Sequence, residues 1–157
     1  MTLRLFSGIQ PTGRLHLGNY LGAIQSWVKL SKEYQKPLFC LVDLHALTSV
    51  SRSEPLHEGK ARLEASCLEL GTTLLACGLD PADCVTYRQS QVPYHAHLAW
   101  LLFCRTRIAS LELMTQFKSK VKDSNFESNA GLLTYPVLMA ADILLVRLLL
   151  PCSLHPL

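Results

Sequence analysis

A glycine-rich turn near the start of the chain carries the residues best suited to chemistry. It reads P-T-G-x-x-H-x-G-N over residues 11–19, between a predicted strand and a predicted helix. A helix N-terminus offers free N–H groups and partial positive charge to a phosphate. His16 and Asn19 can donate hydrogen bonds to phosphoryl oxygens, and Gly18 leaves room for a flat, adenine-like ring. The whole string therefore favours a nucleotide site over a plain turn with a capping Asn and a packed His.

A second candidate, Asp142, lies in an apolar segment near the end of the chain. Tyr135 and Met139 precede it by seven and three residues, which puts all three on one face of a helix. On these residues alone, a satisfied polar group in an apolar helix is the favoured interpretation, because buried acids are usually paired.

Cysteine and histidine spacing predicts no metal site. The six cysteines form no C-x-x-C pair, and we expect them to be reduced, buried, small hydrophobic residues of an intracellular protein. His95 and His97 have no acidic or cysteine partner at ligand spacing, so both are predicted to be surface residues at a helix start.

Strands and helices alternate along the chain. Strands are predicted at residues 3–8, 38–43 and 84–89, and helices at 19–34, 54–77 (stopped by Gly78), within 93–117, and at 131–145, where Pro136 falls in an early turn. The order β-α-β-α-β predicts an α/β fold with a parallel sheet, whose ligands bind at the carboxyl ends of the strands. Neither the P-loop string nor the dinucleotide fingerprint G-x-G-x-x-G occurs.

Composition limits the class of protein. The 157 residues are 49% hydrophobic and 17% charged, which excludes a disordered tail. The net charge of +3 is weak for a dedicated nucleic-acid module, and Lys118, Lys120 and Lys122 are predicted to be solvated. The apolar stretch 132–150 contains Asp142, so it is not expected to span a membrane. We also expect neither a secretory signal nor a transit segment at the N-terminus.

The glycine-rich turn resembles the "HIGH" signature of class I aminoacyl-tRNA synthetases, and its surroundings resemble tryptophanyl-tRNA synthetases in particular. That family begins F-S-G-I-Q-P-[ST]-G-x-x-[HT]-[IL]-G-N-Y-x-G-A, and residues 6–23 of this chain follow the pattern. Further matching segments are residues 42–48, 75–81, 89–92, 114–118 and 131–145. The resemblance implies a Rossmann-like parallel sheet with flanking helices, of which residues 1–145 are the N-terminal part and residues 146–157 a divergent tail.

The resemblance also implies an activity, a tryptophan–tRNA ligase. Such an enzyme activates L-tryptophan with ATP, Mg²⁺ accompanying the ATP, and transfers it to the tRNA for tryptophan. By position, His16 and Asn19 are the implied catalytic residues, and Gln10, Gly18 and Asn19 the implied ATP contacts. Asp142 is implied to accept the indole N–H, which phenylalanine lacks. The implied lining of the amino-acid pocket is Phe6, Gly8, Val42, His45, Tyr135 and Met139.

The match stops after Leu145. The K-M-S-K-S string of the family does not occur, and residues 117–120 (F-K-S-K) belong to a different family segment. We therefore expect a truncated ligase, impaired in catalysis, with most of the tRNA-binding region missing and one sheet edge unprotected.

Other interpretations stay open at the level of sequence. A non-catalytic isoform could act as a dimerisation or interaction module, as a homodimer or with a full-length subunit. A generic nucleotide-binding half-domain ranks last. The His-Leu-Gly-Asn form favours the mitochondrial matrix by resemblance, with the cytoplasm as the alternative.

Overall fold

The computed structural model describes residues 5–13, 15–51, 53–114, 129–146 and 150–151. The strands are β1 (Leu5–Ile9), β2 (Leu38–Leu41), β3 (Val85–Arg88) and β4 (Leu150–Pro151). The α-helices are α1 (Leu17–Asn19), α2 (Gln25–Glu33), α3 (Asp43–Ala46), α4 (Leu56–Ala76), α5 (Tyr94–Phe103), α6 (Ile108–Glu112) and α7 (Ala130–Leu145). A π-helical segment, Tyr20–Ile24, joins α1 to α2, and 3₁₀ turns, Leu47–Ser49 and Gln89–Gln91, follow α3 and β3.

The strands form one parallel sheet in the order β3-β2-β1-β4. This confirms the predicted α/β class and parallel pairing. One sheet edge is expected to be unprotected; at β1 the edge is covered in part, because Leu150 and Pro151 pair with Leu5 and Phe6. The other residues of the predicted tail, 147–149 and 152–157, lie outside the described residues.

One face of the sheet carries the larger hydrophobic core. Trp27 of α2 stacks on Phe39 of β2 with ring centroids 4.5 Å apart, and neither is exposed. Alternate residues of a strand point to opposite faces, so Leu41 joins this core with Leu74 of α4, while Cys40 faces the other side. The amphipathic face predicted for α2 is thus the face that covers the sheet.

Helix α4 ends as its sequence predicts. Gly78 has φ +99°, a conformation that glycine adopts without strain. The Leu79 N–H donates to the carbonyl of Leu74, and the Gly78 N–H donates to that of Leu75. Together these bonds form a Schellman motif, which satisfies carbonyls that the helix end leaves free.

The first helix differs from its prediction. It begins at Leu17 rather than residue 19, and it passes through the π-helical segment before α2. Such segments depend on local packing that hydrophobic periodicity does not report, and they recur at functional sites. Helix α3 was not predicted either, because four residues are too few for a periodic signal.

Helices α5 and α7 pack against each other beside the sheet. Asn129 caps α7 by accepting the Leu132 N–H at 2.8 Å, and its amide donates to the Thr48 carbonyl at 3.0 Å. The start of α7 is therefore fixed to the turn that follows α3.

Three sequence expectations concern surface and solvent. Cys40, Cys67 and Cys84 are buried as predicted, whereas Cys104 is exposed, because it follows the last turn of α5. The lysines at positions 118, 120 and 122 lie outside the described residues. Within the part of the chain that the structure describes, no helix is both long enough and apolar enough to cross a membrane.

Candidate functional site

Asp142 lies at the centre of a buried polar cluster. Its Oδ2 accepts a hydrogen bond from His45 Nε2 at 2.9 Å. Its Oδ1 accepts from His95 Nδ1 at 2.7 Å and from the Gln89 amide at 2.8 Å. The three donors come from α3, the turn after β3, and α5, so the cluster joins the ends of two neighbouring strands to two helices.

The charge of Asp142 is stabilised despite burial of the side chain. Burial alone raises the pKa of a carboxyl group, because it disfavours the charged form. Here the hydrogen bonds from His45 and His95, followed by that from Gln89, outweigh burial and lower the pKa of Asp142 below its usual value. An ionised carboxylate only accepts hydrogen bonds, so the nitrogens of His45 and His95 that face it carry the protons.

The prediction for the two histidines of α5 is half wrong. His97 is exposed, but His95 is only 1% exposed and bonds to Asp142. Its second nitrogen, Nε2, lies 3.1 Å from the Tyr87 hydroxyl. Hydrogen bonds to Asp142 and Tyr87 compensate the loss of solvation when His95 is buried. No local sequence pattern distinguishes His95 from His97.

A second buried carboxylate, Asp43, fixes the backbone around this cluster. Its Oδ2 accepts from Arg88 Nε at 2.6 Å and from the Ser90 hydroxyl at 2.5 Å, while its Oδ1 accepts from the Ser90 backbone N–H at 2.9 Å. Asp43 follows β2, and Arg88 and Ser90 lie at the end of β3. The hydrogen bonds of Asp43 therefore fix the ends of β2 and β3, and His45 and Gln89 follow these strand ends.

The predicted amino-acid pocket residues fall into two groups. Phe6 and Val42 share a small buried cluster on the sheet face opposite the larger core. A Cβ at Gly8 would lie 2.9 Å from Val42 Cγ1, so the strand requires glycine at this close approach.

The second group surrounds Asp142. The rings of His45 and Tyr135 meet edge to face with centroids 6.2 Å apart. Tyr135 is half-buried, and burial raises the pKa of its hydroxyl. Met139 lies one turn before Asp142 and is 44% exposed, so it is the most accessible of the set on α7.

The predicted nucleotide residues lie at the carboxyl end of β1 and the start of α1. His16 is the N-cap: its Nδ1 accepts from the Gly18 N–H at 3.1 Å, and Asn19 Oδ1 accepts from the His16 N–H at 3.0 Å. Gln10, His16 and Gly18 are exposed. A Cβ at Gly18 would lie 2.9 Å from His16 Cε1, so glycine leaves the imidazole in place.

Sequence reasoning missed Gln89, His95 and Tyr87 as members of the polar cluster. Gln89 could have been found, because it directly follows β3, and ligands of parallel sheets bind at the carboxyl ends of strands. Its Oε1 is buried and has no hydrogen-bond donor among the described residues. Within the same ranges, no group of three or more His, Cys, Asp or Glu side chains could hold a metal ion.

Comparison with known proteins places this arrangement in a class. The chain combines a parallel α/β sheet with a His-x-Gly-Asn helix start. A family model described as tRNA synthetases class I (W and Y) matches residues 1–149. The chain belongs to that family, as its resemblance predicted.

Two curated relatives and one solved structure show the same relation. Tryptophan–tRNA ligase of Helicobacter pylori is 49% identical over 144 residues, 92% of this chain and 42% of the relative. That of Thermosynechococcus vestitus is 50% identical over 141 residues, 90% of this chain and 40% of the relative. Tryptophanyl-tRNA synthetase from Campylobacter jejuni, crystallised with ADP and tryptophan, superposes with a TM-score of 0.79 at 35% identity, covering 90% of this chain and 41% of that one. The chain thus spans about two fifths of the length of these relatives.

Proposed function

We propose that this chain is part of a tryptophan–tRNA ligase and supplies the amino-acid pocket and half of the ATP site. The observation that supports this most is the buried, ionised Asp142, whose donors hold it in one orientation. Indole has one N–H donor and no acceptor. A carboxylate at the base of an apolar pocket therefore favours tryptophan over phenylalanine, whose ring leaves the acceptor unpaired.

In this proposal the sheet supplies one wall of the pocket and α7 the other. Phe6 and Val42 give apolar surface from the strands, and Gly8 leaves space for the substrate backbone. Tyr135 and Met139 present a ring and a thioether from α7, both suited to contact with a flat aromatic side chain.

ATP is proposed to bind across Gln10, Gly18 and Asn19, with His16 beside the phosphates. The exposed start of α1 fits such a ligand, because its N–H groups and partial positive charge face solvent. Mg²⁺ would accompany the nucleotide, held by its phosphates. His16 and Asn19 then donate to the α-phosphate oxygens as the tryptophan carboxylate attacks the phosphorus and pyrophosphate leaves. Catalysis in this step is mostly positioning and charge stabilisation.

We further propose that these 157 residues alone form the adenylate slowly. No K-M-S-K-S string occurs in them, so no residue of this chain is assigned to the leaving pyrophosphate. Tryptophan-dependent ATP–pyrophosphate exchange tests this. We expect a rate lower by several orders of magnitude than that of a full-length relative, since charge stabilisation on a transferring phosphoryl group commonly contributes about 10³-fold or more. A comparable rate would refute the impairment.

The amino-acid site has its own test, independent of turnover. Isothermal titration of the purified chain with L-tryptophan, L-tyrosine and L-phenylalanine measures selectivity directly. We expect tryptophan to bind at least about 100-fold more tightly than phenylalanine, because a buried acceptor left unpaired is costly. Equal affinity for the three amino acids, or no binding of any, would contradict the proposed pocket.

A second candidate function is an interaction module, which forms a dimer with another copy or with a longer subunit. Large apolar side chains on α5, on α6 and directly after α6 favour it, because they are highly exposed: Trp100 (67%), Leu101 (63%), Ile108 (66%) and Leu113 (69%). Co-expression with a full-length relative and co-purification would detect a mixed dimer. Its absence at micromolar protein concentration would exclude the mixed dimer.

The remaining expectations are proposals of lower rank. Transfer of tryptophan to its tRNA is proposed for the whole enzyme, and the boundary near residue 145 stays a prediction. Location in the mitochondrial matrix rests only on the His16–Asn19 form of the signature. The relatives named above are bacterial, so they do not support it over the cytoplasm.

A further inference from the structure

The hydrogen bonds around Asp142 leave room for one more donor. A carboxylate offers about four lone-pair positions, two on each oxygen. Among the residues that the structure describes, Oδ1 accepts from His95 and Gln89, and Oδ2 accepts from His45 alone. The position left open is on Oδ2. A group with a single N–H, such as an indole ring, is the donor that completes this set.

His95 is the donor with the most constrained geometry. It is 1% exposed, and both of its ring nitrogens are engaged. Since the ionised carboxylate only accepts, His95 Nδ1 carries a proton, and Nε2 can accept from the Tyr87 hydroxyl. The rings of Tyr87 and His95 also stack with centroids 5.7 Å apart. Burial, stacking and two hydrogen bonds therefore fix the orientation of this histidine.

We propose that His95 is a positioning residue for amino-acid specificity, which acts through Asp142. This inference rests on the proposed tryptophan pocket. His95 occupies Oδ1 and holds the carboxylate plane, so that Oδ2 keeps its open position towards the substrate ring N–H. Tyr87 supports it by holding the imidazole ring at Nε2. No contact between His95 and substrate is required.

The test compares two ligands that differ only at the ring N–H. L-tryptophan and β-(3-benzothienyl)-L-alanine, in which sulfur replaces that N–H, are titrated calorimetrically into the 157-residue chain. The quantity measured is the selectivity ratio, the dissociation constant of the sulfur analogue divided by that of L-tryptophan. A residue that only supports packing affects both ligands alike, whereas one that positions the acceptor changes the ratio.

Three variants give the expected outcome. His95→Leu lowers the ratio by about tenfold or more, because Asp142 loses a donor that orients it. His95→Asn restores most of the ratio, since its amide N–H can replace the Nδ1–H. His97→Leu, on the same helix but exposed, is the matched control and leaves the ratio unchanged.

The result that overturns the inference is equally definite. A ratio that stays within about threefold of wild type in both His95→Leu and Tyr87→Phe excludes a positioning role. If His95→Leu fails to unfold cooperatively, Tyr87→Phe decides alone: a ratio that falls severalfold supports the role, and an unchanged ratio refutes it. Wild-type chain that does not bind tryptophan refutes the pocket as well, whereas selective wild-type binding with unchanged variants refutes only the role of His95.

Discussion

At the scale of single residues, the properties of the site depend on the ionisation of Asp142. Its pKa is lowered in the folded protein, although burial opposes this, because His45 and His95 donate to the charged form. A lowered folded-state pKa contributes stability above the unfolded value of about 3.9, and that contribution is lost as the pH falls through the folded value. The carboxylate therefore contributes to the stability of the fold at neutral pH as well as to the proposed pocket.

The first prediction follows from the lowered pKa of Asp142 in the folded protein. Asp142→Ala removes the acceptor of three buried donors, and we expect it to lower the free energy of unfolding by about 3–5 kcal/mol near neutral pH. The difference from wild type should shrink as the pH falls below the unfolded-state value of about 3.9 and through the lower pKa of the folded carboxylate. Urea denaturation followed by circular dichroism between about pH 3 and pH 7 measures it. A difference that is constant across this range would contradict the charge-based account.

A second prediction compares two glycines. At Gly8 an added Cβ meets Val42 Cγ1 at 2.9 Å, whereas at Gly71 in α4 the nearest heavy atom, Leu41 Cδ1, lies 3.9 Å away. We expect Gly8→Ala to cost about 1–3 kcal/mol through overpacking and to weaken tryptophan binding. Gly71→Ala should stabilise the protein by up to about 1 kcal/mol, because alanine favours the helix. Thermal unfolding of both variants gives the comparison, and equal effects would refute the packing argument.

At the scale of elements, the start of α1 couples structure to the proposed nucleotide site. His16 and Asn19 form a reciprocal capping box. The His16 side chain accepts from the Gly18 N–H, and the Asn19 side chain accepts from the His16 N–H. Asn19→Ala is expected to cost about 0.5–2 kcal/mol of stability and to weaken ATP binding. Asn129→Ala, which removes the cap of α7, should cost a similar amount while leaving ATP affinity unchanged. Titration with ATP separates the two, and an equal loss of affinity would argue against nucleotide binding at α1.

The elements also show what a sequence can and cannot predict. The parallel order of β1, β2 and β3 was predictable, because their apolar runs alternate with long amphipathic segments. The end of α4 was also predictable, because Gly78 can adopt the positive φ that commonly ends a helix. The environment of His95 was not, since its burial depends on Tyr87 and Asp142, which lie 8 and 47 residues away in sequence. Pairing of Leu150 and Pro151 with β1 is likewise a tertiary contact that no local pattern signals.

At the scale of the whole molecule, exposed apolar residues predict self-association. Trp100 and Leu101 are more than 60% exposed on α5. Burial of such side chains is favourable by roughly 25 cal/mol per Å² of apolar surface, so contact with a second copy is expected. Sedimentation velocity should show a dimer for the wild-type chain and a monomer for Trp100→Asp. Lys60→Asp, at an exposed polar position of α4, is the control and should remain dimeric. A wild-type chain that stays monomeric at micromolar concentration would contradict the prediction.

The most direct test of the tryptophan pocket observes the substrate N–H itself. L-tryptophan labelled with ¹⁵N at the indole nitrogen is added to the wild-type chain and to Asp142→Ala, and the indole ¹H–¹⁵N resonance is recorded. We predict that binding to the wild-type chain moves the proton resonance downfield and slows its exchange with water, because the N–H donates to a buried carboxylate. In Asp142→Ala both effects should disappear. A bound indole whose resonance keeps its free-solution position in the wild-type chain would contradict the account.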